Sequence, residues 1–466
     1  MLPYTHSRCD RLEALLGKNV VIVGGGLAGL AASIYLARGG RTVTLFEKRQ
    51  YLGGRAITHL RHGFRFNLGA HAVYRAGAAR SVYRELGIPV PGRSPKTKGI
   101  ALRGGKEYRL PATILSLLTT GLLSFGGKIQ LAKALFRARR IDVSKVPPVS
   151  IREWLDANLT DAGAREAMAA VIRLATYSAH DTQSAQRALA QLRVALRGNV
   201  IYVDEGWQRI VDSLRNTAVT SGVNFISGTR IMGVVRDHHG VRAVELGGLE
   251  LDSDRMDTLS VALPDMKPDD IEGALIPAET VLLAVDPETA AELAGYADFT
   301  KPWMASRPIT AACLDVGLRS LPRPKNTFAL GIDEPLYYSV HSAVAQLAPK
   351  GAALIHTIKY RTETTASDEV IDGSATRRGA AQQDERDLEA LLDRMQPGWR
   401  DVLAHRRFLP AMTVSNALAL PDLPRPSPVT PVPGLYIAGD WVGDEGVLSD
   451  ASLASARAAA KAILAV

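Results

Sequence analysis

Cysteine is scarce in this chain of 466 residues. The two present, Cys9 and Cys313, lie far apart and form no CxxC pair. That excludes a dithiol redox centre or a zinc ribbon and fits a reducing, cytoplasmic setting. Aromatic residues make up only 6%, and no nucleic-acid-binding module is recognisable, so nucleic acid is not an expected partner. Long apolar runs are also missing. The N-terminal MLPYTHSRCDRLEALLGKN has no apolar signal core, and the run after it is broken by Gly24, Gly25, Gly26 and Gly29. PATILSLLTTGLLSF, at 111–125, falls short of the roughly 20 residues needed to cross a bilayer. The sequence reads without a signal peptide or spanning helix, and at most the 111–125 stretch lies in a membrane surface.

Acids are nearly lacking between Arg93 and Arg140, where eleven Lys or Arg face the single Glu107. This surplus alone exceeds the +9 of the whole chain. Such a local positive field attracts anionic lipid or an acidic substrate, or it is simply a solvated face. No metal-ligand spacing occurs. With 46% hydrophobic and 22% charged residues, the composition is that of a globular chain of two or three domains.

What is present starts with VVIVGGGLAGLAASIYLARGGRTVTLFEK. Val20 to Val23 suit a buried parallel strand, and Gly24, Gly26 and Gly29 give GxGxxG. Leu27 to Ala37 continue as a helix that stops at Gly39-Gly40, and a second strand, Thr42 to Phe46, ends on Glu47. This βαβ unit is built for a dinucleotide. Glycines let backbone approach a pyrophosphate, and Leu27 and Ala28 at the helix start offer free N–H groups. Glu47, followed by Lys48, receives the ribose. The motif alone does not choose between nicotinamide and flavin.

Downstream residues bear on that choice. YLGGRAIT at 51–58 places Gly53, Gly54 and Arg55 just after the ribose acid, and GFRFNLGAHAVY at 63–74 supplies another close-approach turn at Gly69, Ala70 and His71. Near the other end, PGLYIAGDWVGDEGVLSDASLASARAAAKAIL at 433–464 reads as a strand ending on Gly439-Asp440, then a glycine-rich turn and a helix from about Ser449. These stretches resemble the flavoprotein family of phytoene (carotenoid) desaturases, protoporphyrinogen oxidase and flavin amine oxidases. The 63–74 stretch looks closest to the desaturase branch.

The resemblance implies FAD as cofactor. The 51–58 region would hold its diphosphate and the 69–71 turn would pass beside the isoalloxazine. Asp440 would orient the ribityl or diphosphate portion, and the final helix, opening at Leu448 and Ser449, would point its positive end at the flavin pyrimidine. Ile231, in YVDEGWQRIVDSLRNTAVTSGVNFISGTRIMGVV, matches the main-chain contact to adenine. Two positions depart from the pattern mildly: Ala456 and Glu205 stand where the family has glycine. Asp450 is expected to be an ordinary N-cap of the final helix, or else to oppose charge on the ring.

The implied fold class is α/β. A discontinuous Rossmann-like FAD-binding domain is assembled from 18–75, 196–299 and 425–466. A second, mixed-sheet and helical substrate domain comes from 76–195, read as mostly helical, and 300–424. Within the latter, a polar stretch at 361–384 reads as a loop and Glu385 to Met395 as a helix. Ile129, Ala132, Leu135 and Phe136 fall on one helical face, which either packs on a cap or docks on a membrane.

No second dinucleotide unit follows, so the electron acceptor is external, oxygen or a quinone. The window MASRPITAACLDVGL lacks the lysine that amine oxidases of this family place near the flavin. The expected activity is hydride transfer between FAD and an apolar, isoprenoid or lipid-like substrate, with His71 and Tyr74 as candidates for proton transfer. An amine or protoporphyrinogen oxidase, and a lipid-binding chaperone of the same fold without flavin chemistry, are the alternatives. The expected location is cytoplasmic, with peripheral attachment to a membrane left open.

Overall fold

A computed structural model of the protein describes residues 19–96, 98–249, 273–362 and 374–466. The strand Asn19–Val23 is apolar at every position but its first and is buried from Val20 onward, as a strand covered on both faces must be. It is the middle of a five-stranded parallel sheet. The order is 224–227, 42–47, 19–23, 280–283 and 435–437. From the central strand the chain first builds outward on one side, then returns to build the other. The topological switch therefore falls between 19–23 and 280–283, the place where folds of this kind bind ligands beyond the strand ends. The helices Leu27–Arg38 and Leu448–Leu464 are rich in small residues and share one core, through Leu30, Ile34, Ala456 and Ala460.

The second sheet has seven strands, in the order 403–415, 309–318, 353–360, 336–340, 328–331, 100–103 and 106–109. All neighbours are antiparallel except 328–331 with 100–103. Leu314 and Val316 on one face meet Leu388, Leu392 and Met395 of the helix Ser374–Met395. The opposite face, carrying Cys313, Tyr337 and Ile358, packs with Ala70 and Tyr177 and so looks toward the first sheet. A helical layer spanning 114–198 has its own core around Leu131, Met168 and Leu189.

Several expectations change here. The mostly helical 76–195 segment contains the hairpin Ile100–Arg103 and Lys106–Arg109, which extends the seven-stranded sheet. The helix read as Glu385 to Met395 starts at Ser374, so its N-terminal half occupies part of the 361–384 stretch; residues 363–373 of that stretch lie outside the described residues. The helix Phe125–Ala138 buries Gly127, Leu131, Ala134 and Ala138, not the Ile129/Phe136 face. Ile129 is 41% and Phe136 62% exposed, alongside Ile114, Leu115, Leu118 and Phe125. The 111–125 run therefore turns most of its helix outward; Leu122 and Leu123 enter the core, and Leu117 packs against it half-buried. No helix among the described residues is long and apolar enough to cross a membrane.

Candidate active site

The switch point is framed first by the turn after Val23. A Cβ on Gly29 would lie 2.0 Å from the Gly24 carbonyl oxygen, so only glycine lets the helix start this close to the strand. A Cβ on Gly26, by contrast, would meet nothing within 4 Å. Gly26 is the N-cap of the helix, so no side chain caps the first N–H groups at Leu27 and Ala28. Gly53 donates its N–H to the Gly25 carbonyl at 2.8 Å, and this bond seats Gly54 opposite Gly26. Glu47 sits at the tip of its strand, half-buried. One carboxylate oxygen accepts Gly25 N–H at 2.8 Å and the other accepts Arg49 N–H at 3.0 Å. Lys48 is exposed beside it.

Arg55 and Asp440 close the cradle from opposite ends of the sequence. Their ion pair is 2.9 Å, with Asp440 buried and Arg55 partly exposed. The Asp440 carboxylate also accepts the main-chain N–H and the side-chain amide of Asn416, both at 3.0 Å. Gly439 is held by Ser455 of the final helix, whose hydroxyl contacts both its N–H and its carbonyl. Leu448 opens that helix with φ of 56°, a left-handed conformation costly for a branched residue and typical of sites that fix a close approach. Ser449 follows, half-buried. Ile231 is buried on the strand Thr229–Asp237, where the register slips on both sides of it.

An uncapped helix N-terminus, two facing glycines, a ribose-range acid and an Arg–Asp clamp together fit a dinucleotide diphosphate. The turn Asn67–Tyr74 runs between the two sheets. A Cβ on Gly69 would strike the Met412 sulfur at 2.3 Å, so this turn lies flat on the second sheet. His71 Nδ1 lies 3.2 Å from the Gly69 carbonyl and its ring meets Trp207 edge-on. Burial holds the imidazole's pKa down to about 4, so it is neutral at pH 7. Tyr74 donates its hydroxyl to the Ala175 carbonyl at 2.7 Å, and burial pushes its pKa up. That bond ties the turn to the helical layer.

Asp450 also corrects its expectation. Val447 is the N-cap of the final helix, and Asp450, one turn in, accepts the Ala79 N–H at 2.8 Å, capping a different helix, Ala78–Leu86. Sequence reasoning missed Asn416 and Arg425. The latter donates to the Asp440 and Gly446 carbonyls, and burial lowers its pKa to about 10. Neither sits in a periodic or glycine-rich pattern that would have marked it. Trp441 is fully buried and donates to the Val285 carbonyl, as a packing residue does. Lys359, on the strand beside 309–318, is bound to Asp384 and Asp387 of the helix Ser374–Met395, on the face away from His71.

Fold and cradle together define an α/β dinucleotide-binding oxidoreductase architecture, with a discontinuous Rossmann-like unit and a second, mixed-sheet and helical unit. Residues 27–291 match the family described as flavin containing amine oxidoreductase, and the chain belongs to that family. Its cofactor is accordingly FAD. The Arabidopsis thaliana protein named Protoporphyrinogen oxidase 2, chloroplastic/mitochondrial, is 31% identical over 146 residues, which is 31% of this chain and 28% of that one. The Haloarcula japonica carotenoid 3,4-desaturase is 51% identical over 58 residues, 12% of each chain. The matches thus span under a third of these curated relatives. Over the whole fold, a crystal structure of an oxidoreductase from Methanosarcina mazei superposes with a TM-score of 0.72 at 17% identity, covering 96% of this chain and all of that one.

Proposed function

We propose that the protein passes a hydride between FAD and an apolar, isoprenoid or lipid-like substrate, with oxygen or a quinone as external electron acceptor. FAD supplies the hydride chemistry when bound. Gly24, Gly26, Leu27, Ala28, Gly29, Glu47, Lys48, Gly53, Gly54, Arg55, Ile231, Gly439, Asp440, Leu448 and Ser449 would hold it, and Gly69, Ala70 and His71 would lie along its ring. Such a reaction needs orientation and a dry site more than charged side chains. The domain division at 18–75, 76–195, 196–299, 300–424 and 425–466 is part of the same proposal.

The observation that carries the apolar substrate is the outward face at 114–136. Six large apolar side chains stand exposed there, interleaved with Lys128, Lys133, Arg137, Arg139 and Arg140. A monomer's surface rarely carries such a patch without a partner, and basic rims on apolar helices suit anionic lipid. Beside it opens a cavity of about 810 Å³, lined by Phe136, Arg137, Arg140, Ile141 and Trp154. We infer a cytoplasmic protein that rests on a membrane surface and takes its substrate from it.

The test is anaerobic mixing of the yellow holoprotein with polyenes and with primary amines. Bleaching of the flavin by polyenes alone supports the reading; bleaching by amines alone rejects it. A second reading, an oxidase acting on a protoporphyrinogen, draws on the Arabidopsis match, and the same assay with that substrate separates it. A lipid chaperone of this fold would purify colourless and take up no FAD, which the open cradle argues against.

A further inference from the structure

The seven-stranded sheet carries a polar row through its centre. Arg407, Asp315, His356 and Ser339 are successive cross-strand partners on four neighbouring strands, and Asp315 and His356 are fully buried. Polar groups there are costly unless paired. Arg407 holds one carboxylate oxygen of Asp315 at 2.5 Å. The other accepts His356 Nδ1–H at 2.5 Å and the Cys313 thiol at 3.1 Å. With Nδ1–H committed to the carboxylate, His356 Nε2 is the lone-pair nitrogen, and it has no partner.

The next ring repeats the situation. His341 lies edge-on to His356, centroids 4.6 Å apart. Its Nε2 is 3.1 Å from the Tyr337 hydroxyl, while Nδ1 is unpartnered. Tyr202 stacks on it at 3.9 Å. Cys313, Asp315 and His356 have ligand atoms within 4.8 Å of one another, but the carboxylate is already neutralised by Arg407, so the trio is spent on itself. The groups facing the two imidazoles are Cys313, Asp315, Arg407, Tyr337, Tyr202 and His71. Arg407 and Asp315 cancel, and burial together with the neighbouring imidazoles His356 and His71 holds His341 well below its usual range. Two buried ring nitrogens, His356 Nε2 and His341 Nδ1, are thus left without a hydrogen-bond partner.

Its location gives this a use. Cys313 and Met412 back directly onto Gly69, so the row lies behind the turn whose front would face the flavin ring. We propose that the Asp315–His356–His341 row is a proton store, taking up one proton when the flavin in front of the turn becomes anionic on reduction and releasing it on reoxidation; this rests on the FAD placement of the preceding section. In the balance, the substrate loses a hydride to the flavin and a proton from the neighbouring carbon. One proton is then bound at His356 Nε2 or His341 Nδ1, so the negative charge gained in front of the turn is matched behind it. Burial makes the two charges interact strongly, and the coupling is reciprocal.

The test uses holoprotein without substrate, reduced electrochemically under anaerobic conditions in weak buffer, with an indicator dye counting protons. Wild type should take up about two protons per two electrons between about pH 6 and 8, one at the flavin and one in the row. The double variants H356Q/H341N and H356N/H341Q, which remove both acceptors, should take up about one, with the oxidised flavin spectrum unchanged. A wild-type count of one, or equal counts in wild type and variants, overturns the proposal. If the variants do not retain flavin, imidazole proton resonances of the wild type decide: no histidine whose pKa rises on reduction overturns it too. A protein that never holds flavin would instead sink the FAD placement, a separate outcome visible before any reduction.

Discussion

Asp450 offers the sharpest test of the packing between the final helix and the rest of the first domain. Its carboxyl is 2% exposed and bonded to one N–H donor, that of Ala79. Gly77 packs so tightly against it that an added Cβ would lie 2.2 Å from Oδ2. Burial lifts its pKa from 3.8 to about 7, against the lowering effect of the Ala79 bond. Because the folded-state pKa is raised, its contribution is fully present below the unfolded pKa near 3.8 and is lost as pH rises through about 7. The interval is roughly three decades of proton affinity at about 1.4 kcal/mol each, so ionisation above pH 8 costs the fold up to about 4 kcal/mol. Relaxation around the carboxylate reduces this, and about 2 kcal/mol is the working figure.

Asp450→Asn keeps the acceptor oxygen for Ala79 and removes the ionisation. The variant should match wild type at pH 4 and exceed it by about 2 kcal/mol at pH 8.5. Urea unfolding of both proteins at several pH values, followed by circular dichroism, measures the difference. A gap that is constant with pH, or a variant that is weaker at pH 8.5, refutes the burial argument.

Gly29→Ala should prevent the helix from seating on Gly24 and abolish folding, whereas Gly26→Ala, whose Cβ meets nothing, should leave the melting curve intact and weaken flavin retention at least tenfold, about 1.4 kcal/mol. Glu205 has φ of 66°, so Glu205→Gly should stabilise by about 1 kcal/mol in the same unfolding assay, less whatever the Glu205–Arg209 pair contributes. Arg55→Met leaves the buried Asp440 with only its Asn416 bonds; a loss of about 1–3 kcal/mol is expected, with faster release of flavin on dilution. Retention on anionic liposomes should fall when Leu115 and Phe125 are replaced by Glu, or when Lys128, Lys133, Arg137, Arg139 and Arg140 are neutralised; unchanged retention removes the docking face.

The parts of this fold that were readable from sequence are those whose causes are local. The unit from Asn19 to Glu47 announces itself because strand, glycine turn, helix and acid are contiguous, and the final helix begins within a residue of its expected start. Errors arose where a residue's partner is distant. The 100–109 hairpin looks unremarkable within a helical stretch, because what makes it a strand is pairing with Phe328–Gly331, more than 200 residues later. Capping preference assigned Asp450 to its own helix, while the free N–H it serves belongs to Ala79. On the helix Phe125–Ala138 the pattern leaves open whether the Ile129/Phe136 face packs inward, and packing on neighbouring helices selects Gly127, Leu131, Ala134 and Ala138 for the inner face instead. That outcome is itself informative. With Ile129 and Phe136 left outside, core packing no longer explains them, and their explanation has to lie with whatever the surface meets.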